Sequence, residues 1–221
     1  SPAYEAWPAF SPDGRCLAYA SDESGRRDTL ELDDAHILLA QILIEERRYD
    51  DAARAARAAL KIRPDDLEAR NILGIVDRKQ GRLDEAIEKY RAILKADPRH
   101  PRVQYNLGIA YFRKGDFEAA RAAYEKAIEL KPRSAEARNN MGETLLRLGD
   151  RTGAERELEL AASLNPRFAL AFANLADLAL RRGDLAGARA LLEKAKGLNA
   201  EVPSAWNIAG NLAFREGRTE E

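Results

Sequence analysis

Apolar residues recur at helical spacing along most of the chain. Between positions 83 and 94 they are three or four residues apart, at Leu83, Ala86, Ile87, Tyr90, Ile93 and Leu94. This spacing places a single apolar stripe on a helix. Pro98 follows the stripe, and a proline at this position prevents the helix from continuing. The pattern therefore predicts an amphipathic helix that ends before Pro98.

The helical pattern repeats with a period of 34 residues, and four series of positions share that period. Glycine recurs at Gly81, Gly115, Gly149, Gly183 and Gly217. Proline recurs at Pro64, Pro98, Pro132 and Pro166. Alanine recurs at Ala52, Ala86, Ala120, Ala154 and Ala188. An apolar residue followed by a small one recurs at positions 39–40, 73–74, 107–108, 141–142 and 175–176. A period of this length indicates a repeat architecture.

Each period is expected to hold two closely packed helices. The recurring glycine follows the first helix, where a left-handed backbone is least costly for glycine. Arg47 occupies this place in the first period. Small residues such as Gly74 and Ala86 remove the side chains that would hold the two helices apart. Because one helical hairpin cannot bury its apolar face alone, we expect the hairpins to stack on one another.

The repeat resembles the tetratricopeptide repeat. In the third period the resemblance rests on Leu107, Gly108, Tyr111, Gly115, Ala120, Tyr124, Ala127 and Pro132. It implies an all-α fold, a right-handed solenoid of about five and a half hairpins over residues 33–221. It also implies a non-catalytic protein that binds other proteins. The expected repeats are 33–66, 67–100, 101–134, 135–168 and 169–202, with a half repeat at 203–221.

Residues 1–32 do not follow the period, and their sequence pattern predicts a short β-hairpin segment. Turn sequences at 11–14 and 22–25 flank an alternating stretch at 15–20. The stretches 8–15 and 17–21 resemble the blade motif of TolB-type β-propellers. One blade does not close a propeller. Three interpretations therefore stay open: the last blade of a propeller in a longer protein, a cap on the first helix, or strand edges that pair with another chain.

Composition narrows the possible functions. The chain has 36 basic and 37 acidic residues, so its charge gives no general attraction to nucleic acid. Its longest apolar runs fall short of the ~20 residues of a membrane-spanning helix. Cys16 is the only cysteine, and His36 and His100 are the only histidines. We therefore expect no disulfide, metal, cofactor or catalysis, and no membrane insertion. The sequence does not indicate a compartment.

Two rows of polar residues fall on the first helices, which line the predicted concave groove. The sixth places of three successive repeats hold Asn106, Asn140 and Asn174, and the thirteenth places hold Arg113, Arg147 and Arg181. These places are two helical turns apart, so both rows should face the groove. Amides can pair with the backbone of an extended peptide. Arginines bind carboxylates, which favours an acidic partner segment. The asparagine row resembles the ladder of the O-GlcNAc transferase family.

Two aromatic residues are expected to face the same groove. Tyr105 and Phe112 could hold an apolar side chain of the partner, and the alternative is packing against the adjacent repeat. The fifth places lack the basic residues of the carboxylate clamp in chaperone-binding members of the family. Binding to the C-termini of heat-shock chaperones is therefore not expected.

The sequence supports three hypotheses of function. The first is a protein–protein interaction scaffold that binds an extended peptide in the groove. The second is self-assembly through the β segment and an unpaired C-terminal helix, with Trp7, Phe10, Trp206 and Phe214 as candidate contacts. The third is a non-catalytic part of a longer protein that combines a propeller with repeats.

Overall fold

A computed structural model of the chain describes residues 9–10, 16–19 and 28–217. The chain divides into two compact units, residues 1–98 and 99–221. Helices account for most of the described residues in both. The right-handed sense of the solenoid stays a prediction.

The first unit contains two helical hairpins. Its helices are α1 (Leu32–Glu45), α2 (Tyr49–Ile62), α3 (Leu67–Lys79) and α4 (Leu83–Ala96). Each helix packs on the next, and α1 also contacts α3. Alanines of α2, including Ala52 and Ala56, lie in one core with Ala40 of α1 and Ile72 of α3. The small residues at the shared places Ala40 and Ala52 are therefore buried in the core between the helices.

Three short strands are described before α1, at the level of their backbone. They are β1 (Ala9–Phe10), β2 (Cys16–Tyr19) and β3 (Asp28–Glu31), and they pair antiparallel in the order β1-β2-β3. Leu17 of β2 lies opposite Leu30 of β3. The residues that join the strands, and Trp7, lie outside the described part of the chain. The predicted hairpin segment and its resemblance to a propeller blade therefore stay predictions.

The second unit contains three hairpins and one further helix. Its helices are α5 (Pro101–Lys114), α6 (Phe117–Leu130), α7 (Ala135–Leu148), α8 (Arg151–Leu164), α9 (Ala169–Arg181), α10 (Leu185–Leu198) and α11 (Pro203–Arg215). Consecutive helices pack on one another, and α11 packs on both α9 and α10. The first helices α5, α7 and α9 also contact one another in that order. They form the face on which the predicted site residues lie.

In the hairpins of the second unit, the turn follows from a glycine and the aspartate after it. Gly115 ends α5 with φ of 88°, a left-handed backbone that suits glycine. Asp116 then begins α6, since its side chain accepts a hydrogen bond from the Ala119 amide at 3.1 Å. Arg47 takes the left-handed place in the first hairpin with φ of 60°. A non-glycine residue in this conformation costs about 1–2 kcal/mol.

A second glycine, at Gly74, Gly108 and Gly142, brings the two helices together in three of the hairpins, as the small residues predicted. A Cβ atom at Gly108 of α5 would lie 2.6 Å from Cε1 of Tyr124 in α6. A Cβ atom at Gly142 of α7 would lie 2.6 Å from Cγ of Leu158 in α8. Each of these glycines therefore forms a notch that is filled by a bulky side chain of the paired helix.

Candidate functional site

The predicted groove residues lie together on α5, α7 and α9, within the unit 99–221. A chain of side-chain hydrogen bonds links these three helices. Asn174 Nδ2 donates to Asn139 Oδ1 at 2.9 Å. Asn139 Nδ2 donates to Asn140 Oδ1 at 3.3 Å, and Asn140 Nδ2 donates to the Tyr105 hydroxyl at 3.2 Å. We call the surface that contains Tyr105, Asn139, Asn140 and Asn174 the amide face.

The asparagines of the predicted row differ in their exposure. Asn140 and Asn174 are half-buried, so part of each amide reaches solvent. Asn106 is 5% exposed and is engaged within the chain, so a ligand would reach it only after the side chain moved. Asn139, which the groove prediction did not include, is 0% exposed and connects the other two amides. The sequence does place Asn139 directly before Asn140, and that adjacency could have indicated a contact between the two amides.

Arg147 is held by aromatic rings. Its guanidinium carbon lies 4.4 Å from the centre of the Phe117 ring and 5.8 Å from the centre of the Phe112 ring. The two rings meet edge to face with their centroids 5.4 Å apart. Cation–π contacts of this kind attract the guanidinium to the rings. Phe112 therefore packs against Phe117 and Arg147 within the array, and Phe117 is a contact of the basic row that the sequence analysis did not include.

The other arginines of the row also have partners within the chain. Arg181 Nε lies 2.6 Å from Asp177 Oδ2, in an exposed i,i+4 ion pair. Arg113 is exposed and is engaged within the chain. In α11 the same place holds Arg215, whose Nη1 donates to the Leu180 carbonyl at 2.7 Å. The basic row is therefore restrained by protein groups before any ligand binds.

A carboxyl group on α7 adds the opposite charge to this face. Glu143 is half-buried, and burial raises its pKa although the charge of Arg147 acts to lower it. Across the described ranges, Glu143 makes no hydrogen bond and no ion pair. Together with Asp177, it offsets part of the positive charge of Arg147 and Arg181. The face carries both signs of charge, which the basic row alone did not suggest.

Tyr105 and Phe112 pack within the array and are also half-exposed. The Tyr105 ring tilts against Tyr124 with the centroids 6.0 Å apart. This contact supports the packing interpretation, and the remaining ring surface is still open to a ligand.

The candidate contacts for self-assembly are only partly described. Trp206 and Phe214 on α11 are 60% and 74% exposed. The Trp206 indole nitrogen donates to the Ala200 carbonyl at 3.1 Å. Phe10 is described only through the backbone of β1, and Trp7 lies outside the described residues.

The described part of the chain lacks two other features that could mark a function. Residues there form no group of three or more histidine, cysteine, aspartate or glutamate side chains that could hold a metal ion. None of the described helices has the length and apolar character needed to cross a membrane.

Family comparisons agree with the fold. Tetratricopeptide repeat models match residues 33–66 and 174–221. The model described as the cilia and flagella-associated protein 70 C-terminal domain, also a tetratricopeptide repeat model, matches residues 64–185, more than half of the chain. The chain therefore belongs to this family of tetratricopeptide repeat domains. The matched ranges begin at residue 33, so none of them supports a propeller blade at 1–32. No curated protein sequence matches the chain.

Solved structures show the same fold. Pseudomonas aeruginosa PilF is 23% identical with a TM-score of 0.75, and the match covers 85% of each chain. TTC0263, a TPR protein of Thermus thermophilus, is 28% identical with a TM-score of 0.70, over 81% of this chain and 98% of that one. YrrB, described as a TPR protein with an unusual peptide-binding site, is 21% identical with a TM-score of 0.60, over 79% and 90%.

Proposed function

We propose that the protein is a non-catalytic interaction scaffold that binds an extended segment of a partner protein on the amide face. Membership of the tetratricopeptide repeat family supports the scaffold function. The likeness to YrrB, a protein described by its peptide-binding site, is consistent with a peptide ligand. The observation that carries the proposal is the pair of half-buried amides, Asn140 and Asn174, each of which donates a hydrogen bond to a side chain of the preceding repeat.

These amides keep capacity for a ligand. An asparagine side chain has two donor hydrogens and two acceptor lone pairs. Asn140 uses one donor and one lone pair within the chain, and Asn174 uses one donor. Each can therefore still donate to a peptide carbonyl and accept from a peptide amide. Because inter-repeat hydrogen bonds already fix their orientation, binding costs less side-chain entropy than it would with mobile side chains.

The charges on the face define the proposed partner further. Arg147 lies over the Phe117 ring and is also exposed, so its guanidinium can still bind a ligand carboxylate. Arg181 could exchange Asp177 for a ligand carboxylate at little cost, because their ion pair is exposed. Arg113 extends the row. We propose a partner segment with acidic groups opposite the arginines and an uncharged or basic group opposite Glu143.

A selected peptide provides the test. Peptides from a random phage-displayed library would be selected on the full chain, and the best one measured by isothermal titration calorimetry. The N140A/N174A double variant should bind at least about tenfold more weakly, which corresponds to about 1.4 kcal/mol. Loss of two hydrogen bonds of about 0.5–1.5 kcal/mol each gives this magnitude.

The control is Asn199→Ala, which removes an exposed amide at the end of α10, away from the amide face. This variant should bind as the unchanged chain does. Circular dichroism would confirm that each variant keeps its helical content. Equal affinity of N140A/N174A and the unchanged chain would refute the proposed peptide site.

Self-assembly is a second candidate function, because α11 exposes Trp206 and Phe214. Static light scattering should then show a mass that rises with concentration. A constant monomer mass would exclude this candidate. The third hypothesis, part of a longer propeller and repeat protein, still rests on residues 1–32 alone.

A further inference from the structure

The hydrogen bonds of the amide face all run in one direction. Asn174 on α9 donates through Nδ2 to Asn139 on α7 at 2.9 Å. Asn139 donates through Nδ2 to Oδ1 of Asn140 at 3.3 Å. Asn140 in turn donates through Nδ2 to the Tyr105 hydroxyl on α5 at 3.2 Å. In Asn140 and Asn174 the amide nitrogen therefore lies on the α5 side of the group and the oxygen on the α9 side.

The buried amide of Asn139 keeps the other two amides in the same sense. Asn139 is 0% exposed, so it takes part in the hydrogen bonds but offers no surface to a ligand. If Asn174 alone were reversed, two amide oxygens would face each other, and if Asn140 alone were reversed, two amide nitrogens would do so. Either reversal would leave polar groups of a buried amide without their hydrogen bonds, which is costly.

The sense of the amides matters because a polypeptide backbone also has a direction. In an extended segment, the N–H and C=O groups of one residue point to the same side, and the N–H comes first along the chain. An asparagine that binds both groups places its oxygen at the N–H and its nitrogen at the C=O. The order of oxygen and nitrogen on the protein therefore sets the direction of the segment that it binds.

The distance between the two half-buried amides sets the register of the segment. Only the amide of Asn139 lies between them, so Asn174 Nδ2 and Asn140 Oδ1 are at most about 9 Å apart. An extended segment advances about 3.3 Å per residue and turns its backbone groups to alternate sides, so equivalent groups are about 6.6 Å apart. A step of four residues, about 13 Å, is too long. The two amides therefore fit residues i and i+2 of a segment.

We propose that the amide face binds its partner segment in one direction, with the N-terminal end of the segment at α9 and the C-terminal end at α5. Residue i of the segment pairs its N–H and C=O with Asn174, and residue i+2 pairs with Asn140. This inference rests on the peptide-binding function proposed above and adds the direction and register of the ligand. Because proline has no N–H, neither contacted residue of the partner is a proline.

Backbone N-methylation tests these contacts, because it removes a single N–H group from a peptide. The probe is the phage-selected peptide described above, made as a series in which each member carries one N-methylated residue. Isothermal titration calorimetry would measure each member against the full chain. We expect two positions, two residues apart, at which N-methylation weakens binding at least tenfold. N-methylation of the residue between them should change the affinity less than twofold.

Single variants of the chain assign each sensitive position to its asparagine. In Asn174→Ala, N-methylation at the first position should weaken binding less than twofold, while the second position stays sensitive. In Asn140→Ala, the second position should lose its effect and the first should keep it. Asn199→Ala is the control, since Asn199 is exposed at the end of α10, and both positions should stay sensitive in that variant.

Three results would overturn the proposal. A reversed assignment, in which the first position depends on Asn140 and the second on Asn174, would show that the segment runs from α5 to α9. Sensitive positions with any other spacing would contradict the register, and a series without sensitive positions would contradict the backbone contacts. Each of these results leaves the peptide site standing if N140A/N174A binds the unmodified peptide more weakly. Equal affinity of N140A/N174A and the unchanged chain would refute the site and the direction together.

Discussion

A methyl group added at Gly108 tests the close packing between the two helices of its hairpin. The Cβ atom of Gly108→Ala would lie 2.6 Å from Cε1 and 2.7 Å from Cδ1 of Tyr124. Tyr124 is 1% exposed, and the close packing of protein interiors gives a buried ring little room to move. Overpacking of this kind costs about 1–3 kcal/mol. Replacing a helical glycine by alanine raises helix propensity and adds about 0.8–1.0 kcal/mol to the free energy of unfolding. The free energy of unfolding should therefore fall by about 1 kcal/mol in total.

Gly210→Ala is the matched comparison, because the same substitution is made at the equivalent place of α11. There the added Cβ atom meets nothing within 4 Å. Only the gain in helix propensity remains, about 0.8–1.0 kcal/mol. The two glycine-to-alanine variants should therefore differ by about 2 kcal/mol, with opposite signs relative to the unchanged chain.

The assay is urea unfolding followed by circular dichroism. The midpoint should fall for Gly108→Ala and should not fall for Gly210→Ala. Adding Tyr124→Leu to Gly108→Ala recreates the alanine and leucine pair that Ala176 and Leu192 form in a buried core, so part of the loss should be recovered. Equal midpoint shifts for the two single variants would refute the role assigned to the glycine notch in helix packing.

Two further predictions concern charged groups. Burial raises the pKa of Glu143, so the folded chain holds a proton that the unfolded chain has lost, and stability falls as pH rises between the two pKa values. Glu143→Gln should therefore raise the urea midpoint at neutral pH, but it should not do so at a pH below the usual pKa of glutamate. An equal shift of the midpoint at the two pH values would contradict the burial argument. Arg63 Nε lies 2.7 Å from the buried Asp33 carboxylate, so Arg63→Ala should cost about 1–3 kcal/mol in thermal unfolding. Arg54→Ala breaks only an exposed pair with Asp51 and should cost about 0–1 kcal/mol, and equal losses would show that the buried carboxylate does not matter.

Much of the fold could be predicted from the sequence because it depends on local rules. A glycine such as Gly115 recurs where the backbone must be left-handed, and Gly108 recurs where a ring must approach. The apolar stripe of each helix follows from spacing alone. These requirements act within one hairpin and recur in successive periods. The same residue types therefore recur along the chain, and the recurrence makes the pattern visible in a single sequence.

The candidate site was less predictable because it depends on contacts between repeats. The row of asparagines was visible, yet whether an amide faces solvent or a neighbour depends on side-chain rotamers across two helices. Asn106 and Asn140 occupy equivalent places and differ in burial. Phe117 contacts Arg147 and Asp177 pairs with Arg181, and the repeat pattern predicts neither contact.

The measurement that tests the central claim most directly is a nuclear magnetic resonance titration of the full chain with the selected peptide. Side-chain amide resonances of Asn140 and Asn174 report on the amide face directly, and those of Asn199 serve as an internal reference. We predict that the first two shift on binding with the affinity measured by calorimetry, while the resonance of Asn199 does not move. Shifts confined to residues of α6, α8 and α10, with Asn140 and Asn174 unchanged, would contradict the assignment of the amide face as the peptide-binding site.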